Sequence, residues 1–303
     1  MPPVLICGTG AMASLFAAKL ASSGVRVTML GQWSEGIRAL NDFGIRFIDE
    51  DGQESHFPVR ATDDPADCLE YQFVLVLVKS YQTERVAKRL KGCLAPGGLV
   101  LTLQNGLDNR KILAEYLGNE RVAAGVTTIG ATLLEPAKVR VGGKGMISVG
   151  AEETIMPIAD LLIQAGFEVE LVENTESLIW GKLVINAAIN PLTAILRIPN
   201  GDLLKISPAH QLMNLVSIES AKVAESLNIG LPFSDPVAAV EVVALKTATN
   251  YSSMYKDVAR GSQTEIEAIN GAIVKAGEST GSPVNFNRML WLLIESISIK
   301  NNA

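Results

Sequence analysis

Short apolar runs alternate with amphipathic stretches over the first half of the chain, and the second half abandons that rhythm. Residues 3–8 form a buried-strand pattern, a helical period follows from Ala11 to Ser22, and Val25–Leu30 is again strand-like, which makes a βαβ unit. Further strand patterns at Gln72–Val78, Leu99–Gln104 and Val122–Ile129 are separated by helical segments at Ser80–Leu90 and Asp108–Leu117. Alternation of this kind predicts a mostly parallel, doubly wound sheet. Alternating residues over 132–150, with Gly142-Gly143-Lys144-Gly145 among them, predict a hairpin at the sheet edge, and Thr154–Ala165 and Phe167–Val172 complete the region. From Thr175 onward the pattern is helical, with breaks at Pro199-Asn200-Gly201, Leu231-Pro232, Gly261-Ser262 and Gly281-Ser282-Pro283. The expected architecture is an α/β Rossmann-like doubly wound domain over residues 1–173 and an all-α domain over 174–303, with a crevice between them.

One helical stretch breaks the apolar pattern regularly. In Trp180-Gly181-Lys182-Leu183-Val184-Ile185-Asn186-Ala187-Ala188-Ile189-Asn190-Pro191, the lysine and two asparagines are spaced by four residues. On a helix each such step returns to within about 40° of the same direction, so an ammonium and two carboxamides share one stripe. Polar groups in so apolar a setting need partners, because burying one unpaired costs about 1–3 kcal/mol. A ligand rich in acceptors, such as a 2-oxo acid, would suit all three donors. The plainer reading of Lys182 is a surface lysine with its stem over apolar neighbours, and that of Asn190-Pro191 is a helix end or cap.

A second pattern lies at the chain start. Gly8-Thr9-Gly10-Ala11-Met12-Ala13 falls where the first strand turns into the first helix, the context in which a GxGxxG/A sequence binds a dinucleotide pyrophosphate on the helix N-terminus. The end of the second strand distinguishes NAD from NADP, and Leu30-Gly31-Gln32-Trp33-Ser34 is neither acidic nor basic there. Lys79, at the end of the Phe73–Val78 pattern, could supply a positive charge, which tilts the expectation toward NADPH/NADP+.

Composition narrows the classes. The 303 residues are 48% hydrophobic, carry a formal charge of −6 and contain no Lys/Arg-rich block, so neither nucleic acid nor an anionic membrane is the expected partner. Cys7, Cys68 and Cys93 show no metal-ligand spacing and read as buried thiols of a reducing, cytoplasmic setting. With only His56 and His210 available, no metal site and no Ser-His-Asp triad is expected. Acid–base work falls to Lys, Glu or Asp. No signal peptide or membrane span is expected, and an apolar helical face could serve a homodimer.

Taken together, Gly8-Thr9-Gly10-Ala11-Met12-Ala13, Leu77-Val78-Lys79, Gln104-Asn105-Gly106, the Lys182–Thr193 stretch, Pro199-Asn200-Gly201, Ser252-Ser253-Met254 and Thr264-Glu265-Ile266 resemble, in order and from end to end, the 2-dehydropantoate 2-reductases (ketopantoate reductases). This family stands in a wider group with 6-phosphogluconate dehydrogenase, whose C-terminal domain is similarly helical. The resemblance implies NADPH-dependent reduction of 2-dehydropantoate to (R)-pantoate in pantothenate (vitamin B5) biosynthesis. It implies Lys182 as proton donor, and Asn105, Asn186, Asn190, Asn200 and Ser253 as substrate-binding residues. Lys79, Asn105, Ala131 and Glu265 would join the glycine turn in contacting the cofactor. One departure is Gly31-Gln32, where family members often carry an arginine.

Plainer roles stand beside these. Ser262-Gln263-Thr264-Glu265 is a capping-box pattern, Asn105-Gly106 a common turn pair, and Ser252-Ser253 a helix start. Two other functions also stay open: reduction of a different branched 2-oxo acid, and a dinucleotide-binding sensor without catalysis.

Overall fold

β1 (Val4–Cys7) is apolar on both of its faces, and both are buried. That is the signature of a central strand in a sheet covered on two sides. The computed structural model, which describes the backbone of residues 1–302 and side chains through residue 298, divides into two compact units. One holds residues 1–104 and 108–175, the other residues 105–107 and 176–303.

In chain order the first unit runs β1, α1 (Ala11–Ser22), β2 (Val27–Leu30), α2 (Ser34–Phe43), β3 (Ile45–Ile48), β4 (Glu54–Phe57), β5 (Arg60–Thr62), β6 (Tyr71–Val76), α3 (Thr83–Leu90), β7 (Leu94–Thr102) and α4 (Asn109–Leu117). It continues with β8 (Val122–Thr127), β9 (Ala131–Glu135), β10 (Lys138–Val141), β11 (Met146–Gly150), α5 (Met156–Gln164) and β12 (Glu168–Val172). An eight-stranded sheet has the order β12-β11-β8-β7-β6-β1-β2-β5. Its run from β5 to β8 is parallel, while β11 joins β8 antiparallel and β12 follows β11 in parallel. Chain order reverses direction at β1, between β2 and β6, which is the switch point where ligands of such sheets bind.

The region between β2 and β6, for which the sequence offers no clear pattern, builds much of a second sheet, β4-β3-β10-β9. α1 lies between the two sheets: Leu15, Phe16, Ala17 and Leu20 share a core with Val4, Ile6 and Met29 from one and Ile45 and Val139 from the other. A helix enclosed on two sides has little use for a polar face, and α1 is apolar nearly all round. α3 and α4 cover the opposite face through Val86, Leu90, Leu113 and Leu117 against Leu5, Cys7, Val74 and Val100. All three cysteines are buried there and unbridged.

The hairpin expectation needs correction. Its two strands are β9 and β10, turning at Pro136-Ala137 with Ala137 at φ 60°, and they belong to the smaller sheet. The Gly142–Gly145 segment instead carries the chain from β10 to β11, from one sheet to the other. Gly142 lies close enough to Gly130 for a backbone hydrogen bond of 2.7 Å. β6 also ends earlier than expected, at Val76, so Lys79 is three residues beyond the strand and precedes a short 3-10 turn at Ser80–Gln82.

The second unit contains α6 (Thr175–Leu196), α7 (Asp202–Lys205), α8 (Ser207–Ser226), α9 (Pro236–Lys246), α10 (Ser253–Ala259), a π turn (Glu267–Gly271) leading into α11 (Ala272–Thr280), and α12 (Asn285–Asn302). α6, of 22 residues, is its longest helix. Leu183, Ala187, Ala188 and Leu192 pack with Met213 and Val216 of α8 and with Leu290 and Ile294 of α12. By length and composition α6 could cross a membrane, but 67% of its most apolar stretch is buried inside the protein, as befits a core helix.

Contrary to the expected helix end, α6 runs through Pro191 to Leu196. Proline has no N–H, so the carbonyl one turn earlier, on Ala187, loses its helical partner. Asn270, fully buried, replaces it by donating Nδ2 at 3.1 Å. The side chain of a different helical segment thereby lets the stripe-bearing helix continue.

Candidate active site

The glycine turn follows directly from the hydrogen bonding at the end of β1. Gly8 N donates to Leu30 O (2.8 Å) and Leu77 N to Cys7 O (3.0 Å), so the neighbouring strands hold the turn from both sides. Gly8 has φ 125°, and a Cβ there would stand 3.2 Å from the Leu77 carbonyl, so glycine is required on two counts. A Cβ on Gly10 would meet nothing within 4 Å: the space before α1 is open. The first intrahelical bond is Ser14 N to Gly10 O at 2.9 Å. No side chain caps α1 and its first turn holds no acid. The amides of Ala11, Met12 and Ala13 are thus left without helical acceptors, at the positive end of the helix dipole. These residues fit a pyrophosphate.

The structure adds a cation that sequence reasoning missed. Arg89, in the last turn of α3, donates Nη1 to Gly31 O at 3.4 Å and also bonds Asp63 O, so its guanidinium stands at the end of β2. Nothing in the local pattern around Arg89 marks it, because the contact spans 58 residues. Lys79 and Ala131 are half-buried, the first at the start of the 3-10 turn and the second at the start of β9. Gln104 fastens the loop beyond β6, with Nε2 donating to Val78 O and Thr83 Oγ1, both at 2.9 Å, while Oε1 accepts from Thr102 Oγ1 at 2.8 Å. In the sequence it is only one member of a motif, yet in the fold it fixes the backbone next to Lys79.

In the helical unit Lys182, Asn186 and Asn190 do lie on one unbroken helix, the first two half-buried and Asn190 buried. Lys182 faces Glu265. Burial pulls the lysine down to about 8, and the nearby Glu265 carboxylate opposes that shift by favouring the ammonium. Glu265 is itself buried and accepts from Asn105 Nδ2 at 3.3 Å. Asn105 belongs to the helical unit with Gly106 (φ 98°), where a Cβ would press on Ala268 at 2.8 Å. Three of the expected site residues, Lys182, Glu265 and Asn105, are therefore brought together.

The capping-box reading of Glu265 fails. Helical structure begins at Ile266, Thr264 Oγ1 accepts from Ile266 N at 3.4 Å, and the Glu265 carbonyl takes the first helical bond from Ile269 N. Ser262 lies beyond reach of the cap role, with its amide on Asp257 O as the end of α10. Thus the Glu265 carboxylate is directed to Asn105 and Lys182 instead of its own helix start.

A second corner gathers Asn190, Asn200 and the start of α10. The cap of α10 is Ser252, whose Oγ accepts from Tyr255 N at 3.0 Å and from Thr193 Oγ1 at 2.8 Å. Ser253 is the next residue and is exposed. Ser252 Oγ also approaches Asn190 O at 3.5 Å. Asn200 N donates to Asn250 O (2.9 Å) and Asn200 Nδ2 to Thr247 Oγ1 (2.9 Å), leaving its Oδ1 buried without a hydrogen-bond partner. A buried orphan acceptor is costly, and a hydroxyl donor from a ligand would satisfy it.

A phosphate cradle at the head of a parallel sheet and a half-buried, downshifted lysine among amides define the class: a dinucleotide-dependent oxidoreductase with a separate helical unit. The N-terminal ketopantoate reductase PanE/ApbA family matches residues 4–153, and the ketopantoate reductase PanE/ApbA C-terminal family matches residues 174–298. The chain belongs to the ketopantoate reductase PanE/ApbA family. It is 38% identical over 299 residues to the 2-dehydropantoate 2-reductase of Archaeoglobus fulgidus, covering 97% of each chain. The structure of a PanE/ApbA family ketopantoate reductase from Ralstonia eutropha JMP134 superposes with a TM-score of 0.93 at 32% identity, over 99% of this chain and 100% of that one. D-mandelate dehydrogenase, solved with NADH and anilino(oxo)acetate, gives a TM-score of 0.92 at 26% identity, with 99% of both chains covered.

Proposed function

We propose that this protein reduces 2-dehydropantoate to (R)-pantoate with NADPH, as a step of pantothenate biosynthesis, and that Lys182 is the proton donor. The observation that carries the reading is the Lys182 ammonium, drawn down to about 8 by burial beside the Glu265 carboxylate, on the helix that also carries Asn186 and Asn190. When bound, the dinucleotide supplies a hydride to the substrate's ketone carbon. Negative charge then develops on the ketone oxygen, and the acid that meets it is the Lys182 Nζ. A pKa near the working pH suits that role, because the lysine is charged enough to stabilise the oxygen and acidic enough to release its proton. Asn186, Asn190 and Ser253 are assigned to the substrate's polar groups, and Asn105 to substrate and cofactor alike. Asn200 Oδ1 is suited to accept from the substrate's hydroxyl.

On the cofactor side the reading assigns Gly8 to Ala13 to the pyrophosphate and Lys79, Ala131 and Glu265 to the rest of the dinucleotide. NADPH in place of NADH is supported by Arg89, which brings a positive charge to the end of β2 where the sequence offers none. The test is NADPH oxidation with 2-dehydropantoate, repeated with NADH. Absence of turnover with both would sink the proposal.

The likeness to D-mandelate dehydrogenase favours a second reading, reduction of another branched 2-oxo acid. Comparing kcat/KM for 2-dehydropantoate with that for the same acid lacking its hydroxyl separates the two, because a site built to bond a hydroxyl discriminates strongly against its loss. Equal efficiency would favour the second reading.

A further inference from the structure

Neither reading uses the exposed aromatic that follows the second strand. Trp33 directly follows Gly31-Gln32 at the end of β2 and is 37% exposed. The strand end is pressed onto the turn: a Cβ on Gly31 would stand 2.5 Å from Thr9 Cγ2. The indole does not swing freely. A Cβ on Gly36 would lie 2.2 Å from its Cε3 and 2.7 Å from its Cζ3, so the six-membered ring is laid against the backbone of α2. Only a residue without a side chain at position 36 allows that seat. An aromatic plate is thus braced beside the phosphate cradle with part of its surface left to solvent.

A dinucleotide whose pyrophosphate rests on α1 places its adenosine along the end of β2. From this geometry we infer that Trp33 is the adenine-recognition residue, stacking the purine ring against its indole. The inference rests on the dinucleotide reading of the cradle and extends it to the nucleobase. Recognition at this strand end then divides between two side chains. Trp33 reads the purine, which NADH and NADPH share, and Arg89 reads the ribose 2′ position, where they differ.

Calorimetric binding of ADP-ribose, NADH and NADPH to the wild type, Trp33→Ala and Trp33→Phe tests it. Loss of one base–aromatic stack weakens binding about 5- to 150-fold, and Trp33→Ala is expected to lose that much for all three ligands alike, with Trp33→Phe retaining most of the affinity. ADP-ribose should also quench tryptophan emission in the wild type and not in Trp33→Phe, whose remaining indoles are Trp180 and Trp291. Undiminished affinity in Trp33→Ala, or the same quenching in Trp33→Phe, overturns the adenine role while leaving the cradle's dinucleotide intact. Failure of the wild type to bind any of the three removes the dinucleotide reading itself, and the inference with it.

Discussion

The cradle of the sheet unit is made of main chain, whereas the polar stripe of the helical unit is made of side chains. At the cradle, the amides of α1, the open space at Gly10 and the positive φ of Gly8 do the work, and almost any small residue serves between them. In the helical unit, each proposed function hangs on a particular group: an ammonium on Lys182 of α6, a carboxylate on Glu265 before the π turn, an amide on Asn105 in the loop after β7. A main-chain site tolerates side-chain change and fixes the class of ligand. A side-chain site fixes the chemistry and has no substitute for its key atom.

The sharpest break of that comparison is Lys182→Ala. Removing an acid–base group costs about 10²- to 10⁴-fold in rate, and kcat for 2-dehydropantoate reduction is expected to fall that far. Calorimetric NADPH binding, in which the proposal gives Lys182 no part, should be retained. Undisturbed kcat would remove Lys182 from the chemistry. Next in size is Arg89→Ala. A hydrogen bond to a charged group contributes about 1.5–3 kcal/mol, so Kd for NADPH should rise by about 10- to 150-fold while Kd for NADH stays near the wild-type value. If both constants rise equally, Arg89 acts only as a tie between Gly31 O and Asp63 O.

These two variants also mark what could be read from the chain. The cradle was legible because turn, strand and helix are consecutive in sequence, and α1 spans Ala11–Ser22 as its periodicity implies. The stripe was legible for a similar local reason: one helix carries it. Partners were not. Arg89 meets Gly31 across 58 residues and Glu265 meets Asn105 across 160, and no local pattern announces either contact. Local reasoning also misjudged Glu265, since Ser262 and Glu265 have capping-box spacing but the helix begins later, at Ile266. Likewise Pro191 signals a helix end to any local rule, and only the remote Asn270 cancels it.

Asn270→Ala turns that last point into a measurement. The variant exposes no new surface at the proposed chemistry but leaves the buried Ala187 carbonyl unpaired, at a cost of about 1–3 kcal/mol. Asn270 Nδ2 also donates to Asn287 Oδ1 at 3.0 Å, so the loss spreads to a second buried amide. Thermal unfolding should shift downward by several degrees, at roughly 2–4 °C per kcal/mol for units of this size. An unchanged Tm would show that α6 crosses Pro191 without needing the bond.

The smallest effect expected is a displacement along the pH axis, and it bears most directly on how the side-chain site works. Lys182 is lowered to about 8 by burial, with Glu265 acting in the opposite sense. Reduction should therefore be flat below that pH, where the ammonium is present, and fall about tenfold per unit above it, where the proton is gone. Glu265→Gln keeps an oxygen to accept from Asn105 Nδ2 but removes the negative charge. Without it the ammonium loses its stabilising neighbour, burial acts unopposed, and the lysine pKa falls further, so the alkaline limb of kcat/KM moves to lower pH. A limb that moves upward, or stays in place, would mean that the carboxylate does not hold the proton on Lys182. The glycine turn has no such dial, because peptide amides do not titrate in this range.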